Sequence, residues 1–272
     1  MQFASIHGVT LHHQLISASA GKPTLVFSNS LGTDLRIWRD VIVRLAGDFG
    51  ILCYDKRGHG LSDLGKTPYS LDDHVADLAG LLDLHGVGKA LICGLSVGGM
   101  IAQGLQASRP DLVGGLILCD TAHKIGSHES WNARIRAVEA GGMEAIADTV
   151  LKGWFTPAFR HTEAFAGYRN MLCRQPEAGY IATCEAIRDA DLTETARWIE
   201  APTICIVGEA DTSTPPALVA DLARMSPRAR FEMVSDAAHM VPVEQPGVLS
   251  EIIRAFATLN AAGGSADARQ PH

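Results

Sequence analysis

The chain has 272 residues, 47% of them hydrophobic, and a formal net charge of −7. That is enough apolar material to bury a substantial core as one large domain or as a domain carrying an insertion. The acidic balance, without any block of like charge, argues against a nucleic-acid-binding protein, and no apolar run approaches the roughly 20 residues needed to span a bilayer.

In chain order, "MQFASIHGVTLHHQ" lacks a basic stretch followed by an apolar one, so nothing suggests secretion and a cytoplasmic protein is expected. The first 16 residues read as a short hairpin turning at Gly8. His12 and His13, adjacent on a strand, point to opposite faces and could not easily share one ion. "TLVFS", Thr24 to Ser28, reads as a buried strand; a helix through "IWRDVIVRLAG" and the strand "GILCYD", Gly50 to Asp55, follow. "SLDDHVADLAGLLDLHG" starts on a Ser N-cap, carries acids in its first turn and ends at Gly86, as a bounded helix does. Next come the strand "KALICG", a helix from about Val97 to Ser108, and the strand "VGGLILCD". Strict alternation of strand and helix implies right-handed crossovers and a mostly parallel sheet. The strands are apolar throughout, as expected when helices cover both faces.

The rhythm breaks after Asp120. From about His123 to Glu200 only helical segments are legible, such as "WNARIRAVEAGGMEAIADTVLKGWF" and "YIATCEAIRDADL". The alternation resumes with "PTICIVGEAD", a helix near Ala217 to Met225, the strand "ARFEMV" and a last helix from Val248 to Leu259. The expected organisation is an α/β core over 1–122 and 201–260 with a helical cap inserted over 123–200. Residues 261–272, "AAGGSADARQPH", are small, polar and aperiodic and read as a disordered tail. Of the six cysteines, Cys53, Cys93, Cys119 and Cys205 sit in apolar strand-like runs, and no Cys-x-x-Cys or mixed Cys/His cluster suggests a metal site. They read as buried, reduced thiols behaving as small hydrophobes.

"CGLSVGGM", Cys93 to Met100, places Ser96 between a predicted strand and a predicted helix. A serine on such a corner takes a strained backbone conformation that brings neighbouring chain close on both sides, so side chains at Gly94 and Gly98 would collide. The corner presents the hydroxyl at the carboxyl edge of the sheet and at a helix N-terminus, both favourable for an oxyanion. A serine hydroxyl is a weak nucleophile and needs a base. Among 11 histidines, His239 in "SDAAHMVPVEQP" is best placed, between the last strand and the last helix. His59 in "DKRGHGLSD" is a rival, but it precedes the serine and sits in a Gly-rich turn. Asp211, directly beyond the strand ending near Gly208, is the expected orienting acid, with Glu209 its competitor. The order Ser96, Asp211, His239 is that of a strand–G-x-S-x-G–helix nucleophile. Two backbone amides should receive the oxyanion: Val97, following the nucleophile, and Leu31 in the loop "SNSLGTD". The His7–Gly8 pair falls in the first hairpin and is not that loop.

These phrases resemble the α/β-hydrolase fold and, more narrowly, the 3-oxoadipate enol-lactonases of the β-ketoadipate pathway. The resemblance runs over about residues 1–260 and rests on "SNSLGTDLRIW", "YDKRGHGLSD", "GLSVGGMIAQGL", "DTAHKIG", "WNARI" and "WFTPAFR". Lys56 and His123 depart from it, since smaller or less basic residues are expected there. The resemblance implies a small-molecule substrate, a five-membered enol-lactone bearing an acetate side chain. It calls for no metal, no organic cofactor, no nucleic acid and no membrane. Under a cap, the substrate carboxylate needs a cation. Arg134 is the first choice because it shares a helical face with Trp131; Trp154 is an apolar wall, and Lys124 and Arg57 are the next cations. Their plain alternatives are a solvated Arg and core tryptophans. Competing activities with the same triad are a general carboxylesterase, another lactonase, a perhydrolase or a ligand-sensing receptor. Epoxide hydrolases and haloalkane dehalogenases are disfavoured, because they use Asp where Ser96 stands.

Overall fold

The computed structural model of the chain describes residues 1–17 and 19–267. Two successive residues of positive φ, His7 (49°) and Gly8 (79°), turn strand β1 (Gln2–Ile6) back onto β2 (Val9–Ile16). Left-handed values at both turn residues match the twist of a tight hairpin. The remaining strands are β3 (Thr24–Ser28), β4 (Gly50–Tyr54), β5 (Ala90–Leu95), β6 (Val113–Cys119), β7 (Thr203–Gly208) and β8 (Ala229–Val234). All eight form one sheet in the order β1-β2-β4-β3-β5-β6-β7-β8. The β1–β2 and β2–β4 pairs are antiparallel and every pair from β4 to β8 is parallel.

Helices cover both faces of the parallel strands, so β4, β5 and β7 are buried along their whole length. Each Leu or Ile side chain buried there contributes about 1.5–3 kcal/mol relative to exposure. The helix Leu71–Leu84 begins with a capping box in which Ser70 and Asp73 satisfy each other's end groups.

Between β6 and β7 there are only helices. The helical run "WNARI…LKGWF" forms two helices, His128–Gly141 and Glu144–Trp154, because Gly142 adopts φ 68° and breaks the hydrogen-bond ladder. Ala164–Cys173 and Glu177–Asp189 complete this block. The short helix Thr193–Arg197 leans on the core instead, where Ser226 Oγ donates to the Ala196 carbonyl at 3.1 Å. The last helix runs Pro246–Asp267, past its expected end at Leu259. Ala261 and Ala262 are strong helix formers and no proline intervenes before Pro271, so the helix continues through residues read as tail. Residues 268–272 of that tail lie outside the described residues. All six cysteines are free, and no helix among the described residues is long and apolar enough to cross a membrane.

Candidate active site

Ser96 joins β5 to the helix Val97–Ser108 with φ 59° and ψ −119°. This costs a residue with a side chain on the order of 1–3 kcal/mol, so the surroundings must impose it. They do: the Ser96 amide donates to the Cys119 carbonyl (3.0 Å), and the Ser96 carbonyl accepts from Thr121 Oγ1 (2.6 Å). A side chain at Gly94 would strike the Gly98 carbonyl, whereas one at Gly98 would strike the Ser28 carbonyl. The two glycines are thus needed for different reasons, and the second clears β3 rather than position 94.

Gly208, at the end of β7, leaves room for the carbonyls of Ala237 and Ala238 and so admits the loop carrying His239. Ala210 N–H donates to Ala237 O at 2.9 Å and locks the two loops together. Asp211 Oδ1 then accepts from the amides of Ser213 (2.7 Å) and Thr214 (3.1 Å), and its Oδ2 accepts from Thr214 Oγ1 (2.6 Å). His239 Nδ1 lies 2.9 Å from Asp211 Oδ2, and both side chains are buried. Facing a carboxylate, Nδ1 carries the proton, which leaves Nε2 as the basic nitrogen. Burial alone would raise the Asp211 carboxyl, but its contacts with His239 and the Thr214 bonds outweigh it and hold the group below its ordinary value. Among the described residues no hydrogen bond joins Ser96 Oγ to His239. Such a contact commonly tightens only when substrate is bound. Glu209 is exposed, and its side chain makes no hydrogen bond among the described residues.

Neither the Leu31 nor the Val97 amide is spent on a protein acceptor among the described residues. The loop holding Leu31 is pinned by two residues of the turn after β4. Lys56 Nζ donates to the carbonyls of Asn29 and Ser30, each at 2.9 Å, and His59 Nε2 accepts from the Gly32 amide at 3.0 Å. His59 Nδ1 faces the Arg57 carbonyl at 3.3 Å, so both ring nitrogens are occupied, and burial drives its pKa well below the ordinary value. His59 is therefore a neutral strut under the loop rather than a rival base.

Arg134 lies with its guanidinium 4.9 Å from the Trp131 ring centre, and Trp131 Nε1 donates to Ile125 O at 2.7 Å. Both line a cavity of about 300 Å³ together with Thr212 and Ser213 of the loop that follows Asp211, whereas Ser96, Asp211 and His239 are not among its lining residues. Trp154 is buried, with Cη2 3.5 Å from where a side chain on Gly32 would begin. The two other cations are engaged elsewhere: Lys124 pairs with Asp191 at 2.9 Å, and buried Arg57 forms a two-pronged bond to Asp77 at 2.7 Å. Arg134 has no acidic partner among the described residues.

Three residues near these groups carry no recognised sequence signal: Thr214, Glu244 and Asp120. Thr214 also approaches His239 Nδ1 at 3.4 Å. Asp120 ends the "ILCD" run at the carboxyl edge beside Ser96, and this position is the one clue the sequence offered. One ligand atom each of Asp120, Asp211 and His239 lie within 4.8 Å of one another, but Asp211 and His239 already satisfy each other there.

A strained serine, a buried His–Asp pair and a crossover helix at each step of a parallel sheet recur together in one fold. The family model of the alpha/beta hydrolase family matches residues 25–252. The chain belongs to the α/β-hydrolase family. This hydrolase is 34% identical over 238 residues to 3-oxoadipate enol-lactonase 2 of Acinetobacter baylyi, covering 87% of this chain and 89% of that relative. It is 33% identical to 3-oxoadipate enol-lactonase 1 of the same organism, covering 92% of this chain and 93% of that one. The crystal structure of the enol-lactonase from Burkholderia xenovorans superposes with a TM-score of 0.91 at 35% identity, covering 94% of this chain and all (100%) of the other.

Proposed function

We propose that this hydrolase opens the ring of 3-oxoadipate enol-lactone to give 3-oxoadipate, through an acyl-enzyme on Ser96, in the breakdown of aromatic compounds. At the coarser level the chain is an ester or lactone hydrolase acting on a small molecule, the shared character of its relatives. Ser96 Oγ attacks the lactone carbonyl while His239 Nε2 takes its proton, and Asp211 holds the Nδ1–H and stabilises the imidazolium. The oxyanion of the tetrahedral intermediate is received by the Leu31 and Val97 amides. Collapse breaks the ring C–O bond and expels an enolate, which takes the proton from His239 and ends as a ketone. This leaving group stays tethered, because it is part of the same ring. Water deprotonated by His239 then attacks the acyl carbonyl, and Ser96 Oγ departs with the returned proton. None of these steps calls for a metal or an organic cofactor.

The observation that carries the substrate assignment is Arg134. A half-buried guanidinium with no acidic partner, in a cavity beside the Asp211 loop, is suited to an anion brought in by the ligand. The acetate arm of the enol-lactone is such an anion. Trp131 beneath the guanidinium and Trp154 beside Gly32 are consistent with apolar walls around the ring. The test is turnover of carboxylated enol-lactones against simple neutral esters by purified protein. The reading expects a kcat/KM for the carboxylated lactone larger by orders of magnitude; equal values would make the chain a general esterase.

A further inference from the structure

We infer that Asp120 is a positioning residue for this reaction: it stands protonated behind Asp211 and donates a hydrogen bond to that carboxylate, fixing it against His239. This rests on the reading of Asp211 and His239 as the acid and base of the site. Asp120 directly follows β6 and is fully buried, with a φ of 43° that a residue with a side chain rarely adopts. Its amide is tied to the Ile206 carbonyl at 2.8 Å, and its Oδ1 accepts from the Gly208 amide at 2.8 Å. The other oxygen, Oδ2, is buried and has no donor among the described residues.

An unpartnered carboxylate oxygen in that position would be costly. One carboxylate oxygen each of Asp120 and Asp211 and one ring nitrogen of His239 also fall within 4.8 Å of one another. Two buried carboxyls so close do not both ionise. The charge falls to Asp211, which faces four donors: the Ser213 and Thr214 amides, the Thr214 hydroxyl and His239 Nδ1. Asp120 has one. Around Asp120 stand the Asp211 carboxylate, the Cys119 thiol and the Gly208 amide, and burial followed by the Asp211 charge pushes its pKa well above the carboxylate range. With Oδ1 accepting, the proton belongs on Oδ2, and the neighbour able to receive it is Asp211. Asp120 then supplies a further hydrogen bond to Asp211 without adding a negative charge beside the imidazole.

The test uses isosteres. Asp120→Asn keeps both roles, its amide oxygen accepting from Gly208 and its amide nitrogen donating to Asp211; Asp120→Ala keeps neither. On a substrate that the parent turns over, Asp120→Ala should lower kcat by about 10- to 100-fold, while Asp120→Asn should stay within about threefold of the parent. The acid limb of the Asp120→Asn pH–rate profile should coincide with the parent's, because no charge has been removed. An infrared difference spectrum at neutral pH should show a protonated-carboxyl carbonyl band in the parent that Asp120→Asn lacks. Three results would each overturn the inference: Asp120→Asn as impaired as Asp120→Ala, an acid limb displaced to lower pH in Asp120→Asn, or no such band. Should Asp120→Ala not fold, Asp120→Asn and the spectrum still decide. If Asp211→Asn left turnover untouched, the reading of the site would fail, whereas the band would still report the state of Asp120.

Discussion

Met240, the residue after His239, donates its amide proton to the Trp154 carbonyl at 3.1 Å, so the helical block between β6 and β7 is bonded directly to the histidine loop. Glu244 reinforces the join. Its Oε1 accepts from the Thr156 amide (3.0 Å) and hydroxyl (2.6 Å), and its Oε2 from the Ala238 amide (2.8 Å). The loop that presents the imidazole is therefore held from the helical block as well as from the sheet.

Glu244→Ala strands these donors in a part-buried site, at about 1–3 kcal/mol for each group left unsatisfied. We expect kcat to fall by about tenfold or more, with a measurable drop in Tm, and Glu244→Gln to be milder because its amide oxygen can still serve one side. Steady-state kinetics and thermal melts of the two variants check this. An unchanged kcat in Glu244→Ala would mean that the loop keeps its place without the join.

Lys56 gives a pH dependence with a definite sign. The side chain is fully buried, and burial pushes its ammonium down to about 7, against the pull of Asp55 and Asp34. In the unfolded chain a lysine keeps its proton to about pH 10.4. Between these values the unfolded state binds more protons, so this group makes the fold gain stability as pH rises from about 7 toward 10, and contributes no slope below. Lys56→Met lacks that slope. Urea unfolding of parent and variant at pH 7 and about pH 9.5 should show their difference moving in the parent's favour at the higher pH. A difference that stays constant would contradict the buried, proton-shedding amine.

What was legible in the sequence follows from how local each signal is. β3 to β7 declare themselves as short apolar runs because both of their faces are covered. β8, at the sheet edge, is mostly exposed and was readable only from its brackets and length. The Ser96 corner could be read because glycine spacing and the strand–helix change coincide within a few residues. The break at Gly142 is not legible in the pattern, because helical periodicity runs smoothly through it and a positive φ leaves no trace in the apolar spacing. Lys56 looked out of place in its motif, yet its acceptors, Asn29 and Ser30, lie on a different loop and only the fold brings them under its amine. Glu244 meets Thr156 across 88 residues, a contact that no window on one sequence contains.

Arg134 is tested by a ratio. Arg134→Ala should cost the carboxylated enol-lactone about 2–5 kcal/mol in kcat/KM, the range for truncating one partner of a buried charge pair. A neutral analogue with the same ring should lose well under about 1 kcal/mol, as for a solvated arginine. The neutral substrate controls for general damage to the helical block, so the ratio of the two losses decides. A ratio near one would remove Arg134 from the site.

The most direct measurement is kcat/KM of Ser96→Ala beside the parent on the carboxylated enol-lactone, with folding verified and contaminating hydrolase excluded. Without the hydroxyl there is no acyl-enzyme, and only the oxyanion site and substrate binding remain to assist water. The account predicts an intact fold and a loss of several orders of magnitude, about 10⁴-fold or more, by comparison with serine hydrolases that lose their nucleophile. Activity within about tenfold of the parent would contradict it, because a residue that attacks the carbonyl cannot be dispensed with so cheaply.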